Sequence, residues 1–165
     1  MHTHLLLFAR DPGATNQALA LLRVLDGNAP GGLDATVAKL SDFLPVSPEA
    51  PAVTTVARDY ACGRLSAEGI PHLAWAEYSG ATDTAAAAVG ALRGRMTADG
   101  ITHVVTGVSD NDDKTHQWIW QAAREAGIPS ATLLDDDLKL AAQFSDEAGG
   151  IVWPNRIYAV SERTR

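Results

Sequence analysis

The sequence predicts an α/β fold, a doubly wound parallel sheet in a single three-layer domain spanning residues 1–165, and two observations predict it. The first is a junction that occurs three times: Ala67-Glu68-Gly69-Ile70-Pro71-His72, Ala98-Asp99-Gly100-Ile101-Thr102-His103 and Glu125-Ala126-Gly127-Ile128-Pro129-Ser130, each followed by an apolar run. Glycine ends a helix because the residue after the last turn usually needs a left-handed backbone. The isoleucine then plugs the turn into the core, and proline cannot continue the helix. Alternating helices and short buried runs imply a parallel sheet covered by helices. The second observation is the character of residues 5–9, 104–108 and 131–134. They read as near-continuous apolar runs, as strands buried on both faces do, and so belong in the centre of the sheet.

The elements follow in order. A strand at 5–9 leads through Arg10-Asp11-Pro12-Gly13-Ala14-Thr15 into a helix near 16–25. Residues 27–51 carry no clear period. A strand is expected at 53–57 and a helix at 59–68, then a strand at 73–76 and a helix at 82–98. Strands at 104–108 and 131–134 flank a helix at 114–126, which makes them neighbours, and a last strand covers 157–160. At least five parallel strands with helices on both faces are therefore expected.

Composition narrows the function. A formal net charge of −7, with 13 Lys and Arg scattered along the chain, disfavours nucleic acid and anionic membrane surfaces as partners. No apolar stretch approaches the ~20 residues of a membrane span, and the N-terminus lacks a basic region ahead of its short apolar run. Cys62 is the single cysteine, so no disulfide within the chain and no cysteine metal cluster can form. A cytoplasmic protein acting on a small molecule is expected.

Ligands of open parallel sheets bind beyond the carboxyl ends of the strands. Three loops leave such ends with unusual content. In the first, Asp11, Gly13, Ala14 and Thr15 either bind a phosphate or carboxylate at the helix start or form a plain turn capped by Asp11 or Thr15. The loop is not a Walker motif and lacks the dinucleotide fingerprint. The second runs Gly107, Val108, Ser109, Asp110, Asn111, Asp112, Asp113, Lys114, Thr115, His116. A carboxylate beside an imidazole serves acid–base catalysis or holds a divalent cation, and acidic residues also favour a first helical turn. The third is Asp135-Asp136-Asp137, directly after a buried strand. Since their strands are neighbours, the second and third loops are expected to face one another opposite Gly13. Asp110, Asp135, Asp136 and His116 are the catalytic candidates. Asp11, Gly13, Ala14, Thr15, Gly107, Ser109, Asp112 and Asp113 are the ligand-binding candidates. The tryptophans at 118 and 120 are expected in the core, with room for one of them to line a pocket.

The stretches Phe8-Ala9-Arg10-Asp11-Pro12-Gly13-Ala14-Thr15-Asn16, Val105-Thr106-Gly107-Val108-Ser109 and residues 127–135 resemble the N-terminal Rossmann-like half of two-domain GT-B proteins. That group includes glycosyltransferases and the non-hydrolysing UDP-N-acetylglucosamine 2-epimerases. The resemblance implies a Rossmann-like sheet and places Asp110 and Asp135 where epimerase-like members carry acidic catalytic groups. In such proteins a second domain grips the nucleotide, and this chain stops where that domain would begin. Two expectations follow. The chain is a stand-alone biosynthetic enzyme using carboxylate chemistry on a polar, sugar-derived or anionic metabolite, or it is an accessory subunit that completes a two-part site. A homodimer or a partner subunit would cover the exposed cleft.

Overall fold

The computed structural model describes residues 2–27, 40–45, 49–80, 84–108, 113–134, 144–146 and 150–159. In chain order these form β1 (His4–Ala9), α1 (Pro12–Leu25), a short 3-10 turn (Leu40–Asp42), β2 (Ala52–Ala57), α2 (Tyr60–Ala67), β3 (Leu73–Ala74), α3 (Trp75–Ser79), α4 (Ala85–Ala98), β4 (His103–Gly107), α5 (Thr115–Glu125), β5 (Ser130–Leu134) and β6 (Arg156–Ala159). The six strands make one all-parallel sheet in the order β3-β2-β1-β4-β5-β6. The chain builds outward from β1 to β3, returns to β4, and builds outward the other way. The order therefore reverses between β1 and β4, which is the switch point of a Rossmann-like fold.

Alternation along β1 divides the core. Leu5, Leu7 and Ala9 face a layer formed with Ala18, Leu19 and Leu21 of α1 and Ala61 and Leu65 of α2. Leu6 and Phe8 face the opposite layer, formed with Leu92 and Met96 of α4 and Ile119, Ala122 and Ala123 of α5. Leu5, Leu6, Leu7 and Phe8 are each no more than 1% exposed, so each contributes about 1.5–3 kcal/mol of transfer free energy. Helices on both faces of a parallel sheet are the expected three-layer arrangement. Of the three strands expected in the centre, β1 and β4 occupy it. β5 sits one place in from the edge, because β6 pairs outside it.

The three repeated junctions share one geometry. Gly69, Gly100 and Gly127 have φ of 70°, 67° and 71°. The next residues, Ile70, Ile101 and Ile128, donate their N–H groups back to Leu65, Met96 and Ala123. This bond five residues back, paired with one from each glycine N–H, is the Schellman closure of a helix.

Two boundaries differ from expectation. The first helix begins at Pro12 rather than near residue 16, because proline's fixed φ suits a first helical position and its missing N–H costs nothing there. β3 is only two residues long. Glu77 Oε2 accepts the Ala74 N–H at 3.0 Å, which starts α3 at Trp75, and Gly80 with φ of 74° ends that helix.

Candidate functional site

The ends of β1, β2 and β4 meet at the carboxyl edge of the sheet. Parallel register sets Phe8 beside Val56 and Ala9 beside Ala57, so the next residues, Arg10 and Arg58, emerge together. Their loops are tied by the backbone: Arg58 N–H donates to Ala9 O and Ala61 N–H donates to Arg10 O. Arg10 Nε lies 2.6 Å from Asp59 Oδ2 and 3.4 Å from Asp113 Oδ2. Arg58 Nη1 donates to Thr115 Oγ1 at 2.7 Å and lies 3.5 Å from Asp113 Oδ1. The Thr115 hydroxyl and backbone N–H both donate to Asp113 Oδ1, at 2.6 and 3.1 Å. Asp113 thus closes the start of α5 and joins it to both arginines. Asp59 has φ of 51° and ψ of −119°, a conformation that non-glycine residues rarely adopt, and its short ion pair with Arg10 holds it there.

The expected binding loop after β1 is built as a helix cap. Asp11 Oδ1 accepts the Ala14 N–H at 2.8 Å, while the Thr15 N–H and hydroxyl both donate to Asp11 O. Pro12 has no N–H. Gly13 therefore supplies the one donor of this first turn with no partner among the described residues. Gly107 lies directly beneath. A Cβ there would sit 2.2 Å from Ala14 Cβ and 2.9 Å from Ala14 Cα, so the glycine is what lets α1 settle on β4.

His116 lies at the second position of α5 and is fully buried, its ring edge-on to Trp120 with centroids 4.9 Å apart. Trp120 stacks on Phe144, which stacks on Trp153. Beneath them Trp120 Nε1 donates to Thr106 Oγ1 at 2.8 Å, and Thr132 Oγ1 donates to Thr106 O at 3.0 Å. The imidazole is thus part of an aromatic column. Trp118, by contrast, lines a cavity of about 250 Å³ beside Lys114, Gln117 and Asp146. At Cys62, burial first and the Asp59 carboxylate second push the thiol up, which disfavours a thiolate nucleophile.

The structure thus brings Asp11, Gly13, Ala14, Thr15, Gly107 and Asp113 to one edge, and sets His116 into the core beside it. Ser109, Asp110, Asp112, Asp135, Asp136 and Asp137 lie outside the described residues. Among the described residues, no group of three or more His, Cys, Asp or Glu side chains could hold a metal ion, and no helix is long and apolar enough to cross a membrane. The sequence reading missed Arg58 and gave Arg10 no role. Their signal was available, since each is the first residue after a buried run and the two runs pair in parallel. Comparison with protein-family models, with curated proteins and with solved structures finds no match.

Proposed function

We propose that the chain is a small-molecule enzyme of a biosynthetic pathway, acting by acid–base chemistry on a polar, anionic, sugar-derived metabolite at the carboxyl edge of the sheet. The observation that carries this reading is the Arg10–Asp59–Asp113–Arg58 cluster at the switch point, where ligands of such sheets gather. Arg58 is the anion-binding residue. Its side chain is 36% exposed, its Nη1 is anchored by Thr115, and its planar fork suits a carboxylate or phosphate. Asp59 and Asp113 hold the two guanidiniums in place, so little side-chain freedom is lost on binding. The proton-transferring carboxylate is Asp110, Asp135 or Asp136, which follow β4 and β5 in the sequence. His116 supports that edge from the core.

Arg58→Gln tests this reading. Titration with inorganic phosphate and with hexose and pentose monophosphates, followed by NMR, should show affinity falling roughly tenfold or more. The melting temperature should stay nearly unchanged, because the ion pair is partly exposed. Equal affinities in the variant and the unaltered protein would overturn it.

One observation favours a second reading, that of a module completing its site with another chain. β6 ends the sheet order, and nothing among the described residues pairs with its outer edge. Ile157 on that strand and Ile151 and Trp153 just before it are exposed. An open strand edge beside exposed apolar groups suits docking to a second chain.

A further inference from the structure

We infer that Gln17 is a ligand-binding residue of this edge, recognising the neutral, hydroxylated part of the metabolite whose anionic part Arg58 holds. The inference rests on the function proposed above. Gln17 lies on α1, is 7% exposed, and neither its Oε1 nor its Nε2 has a hydrogen-bond partner among the described residues. Buried carboxamides are almost always paired, because an unmade bond leaves the desolvation cost uncompensated. Beside the edge where ligands of such sheets gather, a buried and unpaired amide is placed to find its partner in a ligand.

Helix geometry says where this amide points. Ala14 sits on Gly107 and so marks the face of α1 turned to the sheet. At about 100° per residue, Gln17 lies about 60° to one side of Ala14, whereas Leu19 and Leu22 lie about 80–140° to the other. In a right-handed β1–α1–β2 crossover the Leu19 and Leu22 side is the one turned to β2 and α2. Gln17 therefore faces the opposite flank, over β4 and β5. Helical side chains also lean toward their own N-terminus, which carries this carboxamide back over Gly13 and Ala14. Gln17 is only about 6 Å along the axis from Gly13, whose N–H is the first-turn donor with no partner among the described residues.

The chemistry selects the ligand class. A carboxamide offers both donors and an acceptor and carries no charge. It complements a hydroxyl or a pair of neighbouring hydroxyls rather than a phosphate. Arg58 at one side of the α1 start and Gln17 at the other then read two parts of one molecule.

The test compares inorganic phosphate with hexose and pentose monophosphates on the whole chain, in unaltered form, as Gln17→Leu and as Arg58→Gln. Leucine has similar bulk and no polar atom. Gln17→Leu should keep the phosphate affinity, lose roughly tenfold in sugar-phosphate affinity, and melt higher because an unpaired amide has been removed. A sugar-phosphate preference undiminished in Gln17→Leu would overturn the inference while leaving the Arg58 reading intact. A lower melting temperature in Gln17→Leu would also overturn it, since the amide would then be a paired structural group. Phosphate binding that survives Arg58→Gln would overturn the anion site instead, and absence of binding by every probe would overturn both.

Discussion

At the scale of single residues, some buried polar groups have no hydrogen-bond partner among the described residues. Tyr78 of α3 is the counterpart of Gln17. It is 3% exposed, its hydroxyl has no hydrogen-bond partner among the described residues, and the Arg95 guanidinium lies 5.2 Å from the ring centroid. Burial first and the Asp99 carboxylate second push the phenol well above its ordinary value near 10, against the opposing pull of Arg95. The folded state thus keeps its proton where the unfolded chain loses it. This contribution is fully present below about pH 10 and is lost as pH rises further, because the unfolded state gains by ionising. Tyr78→Phe should raise stability at pH 7 by up to about 1 kcal/mol, or ~2–4 °C, and should lose less stability than the unaltered protein between pH 9 and 11. Thermal melts across that range decide it. A clear drop at pH 7, or identical alkaline slopes, would show that the hydroxyl is not an unsatisfied group.

At the scale of elements, the decisive contact is the seat of α1 on β4. Gly107→Ala drives a methyl into Ala14, and one of the two clashing atoms is a Cα, so no side-chain rotation relieves it. The helix must lift from the sheet at a cost of about 1–3 kcal/mol. Ala14→Gly in the same chain removes the 2.2 Å clash but not the 2.9 Å one, so it should restore only part of the loss. Denaturant unfolding of both single variants and the double variant measures that coupling, and additive losses would mean that the two residues are not in contact. The same contact marks the limit of what the sequence discloses. Helix ends were legible because Gly69, Gly100 and Gly127 need a left-handed backbone, a local property written in one residue. Gly107 stands among the ligand-binding candidates, whereas the group packed against it is Ala14 of α1, a tertiary contact that no local signal carries. The early start of α1 was missed because Pro12 reads as a breaker unless its first-turn position is known. The short β3 was missed because the cue is a single bond between Ala74 and Glu77.

At the scale of the whole molecule, the sheet was legible because burial on both faces writes unbroken apolar runs, and junctions between helix and strand order them. The edge at which ligands gather followed from that order. The residues that meet there did not all follow, since Arg10, Arg58, Asp59 and Asp113 come from three separate loops and are joined only by strand register. Assembly is the remaining property of the whole chain. We expect β6 to supply the contact, because nothing among the described residues pairs with its outer edge, and such strands pair with a copy of themselves about a two-fold axis and extend the sheet across both molecules. Ile157, Ile151 and Trp153 would be buried in that union, and Arg124, which donates to the Trp153 carbonyl, would hold the segment before β6 in place. Light scattering at micromolar concentration should then report twice the monomer mass. Ile157→Lys should return the monomer without lowering the melting temperature of the fold, because the side chain is exposed and a charge on an edge strand opposes pairing. A monomer at every concentration, or a dimer indifferent to this substitution, would remove β6 as the docking edge.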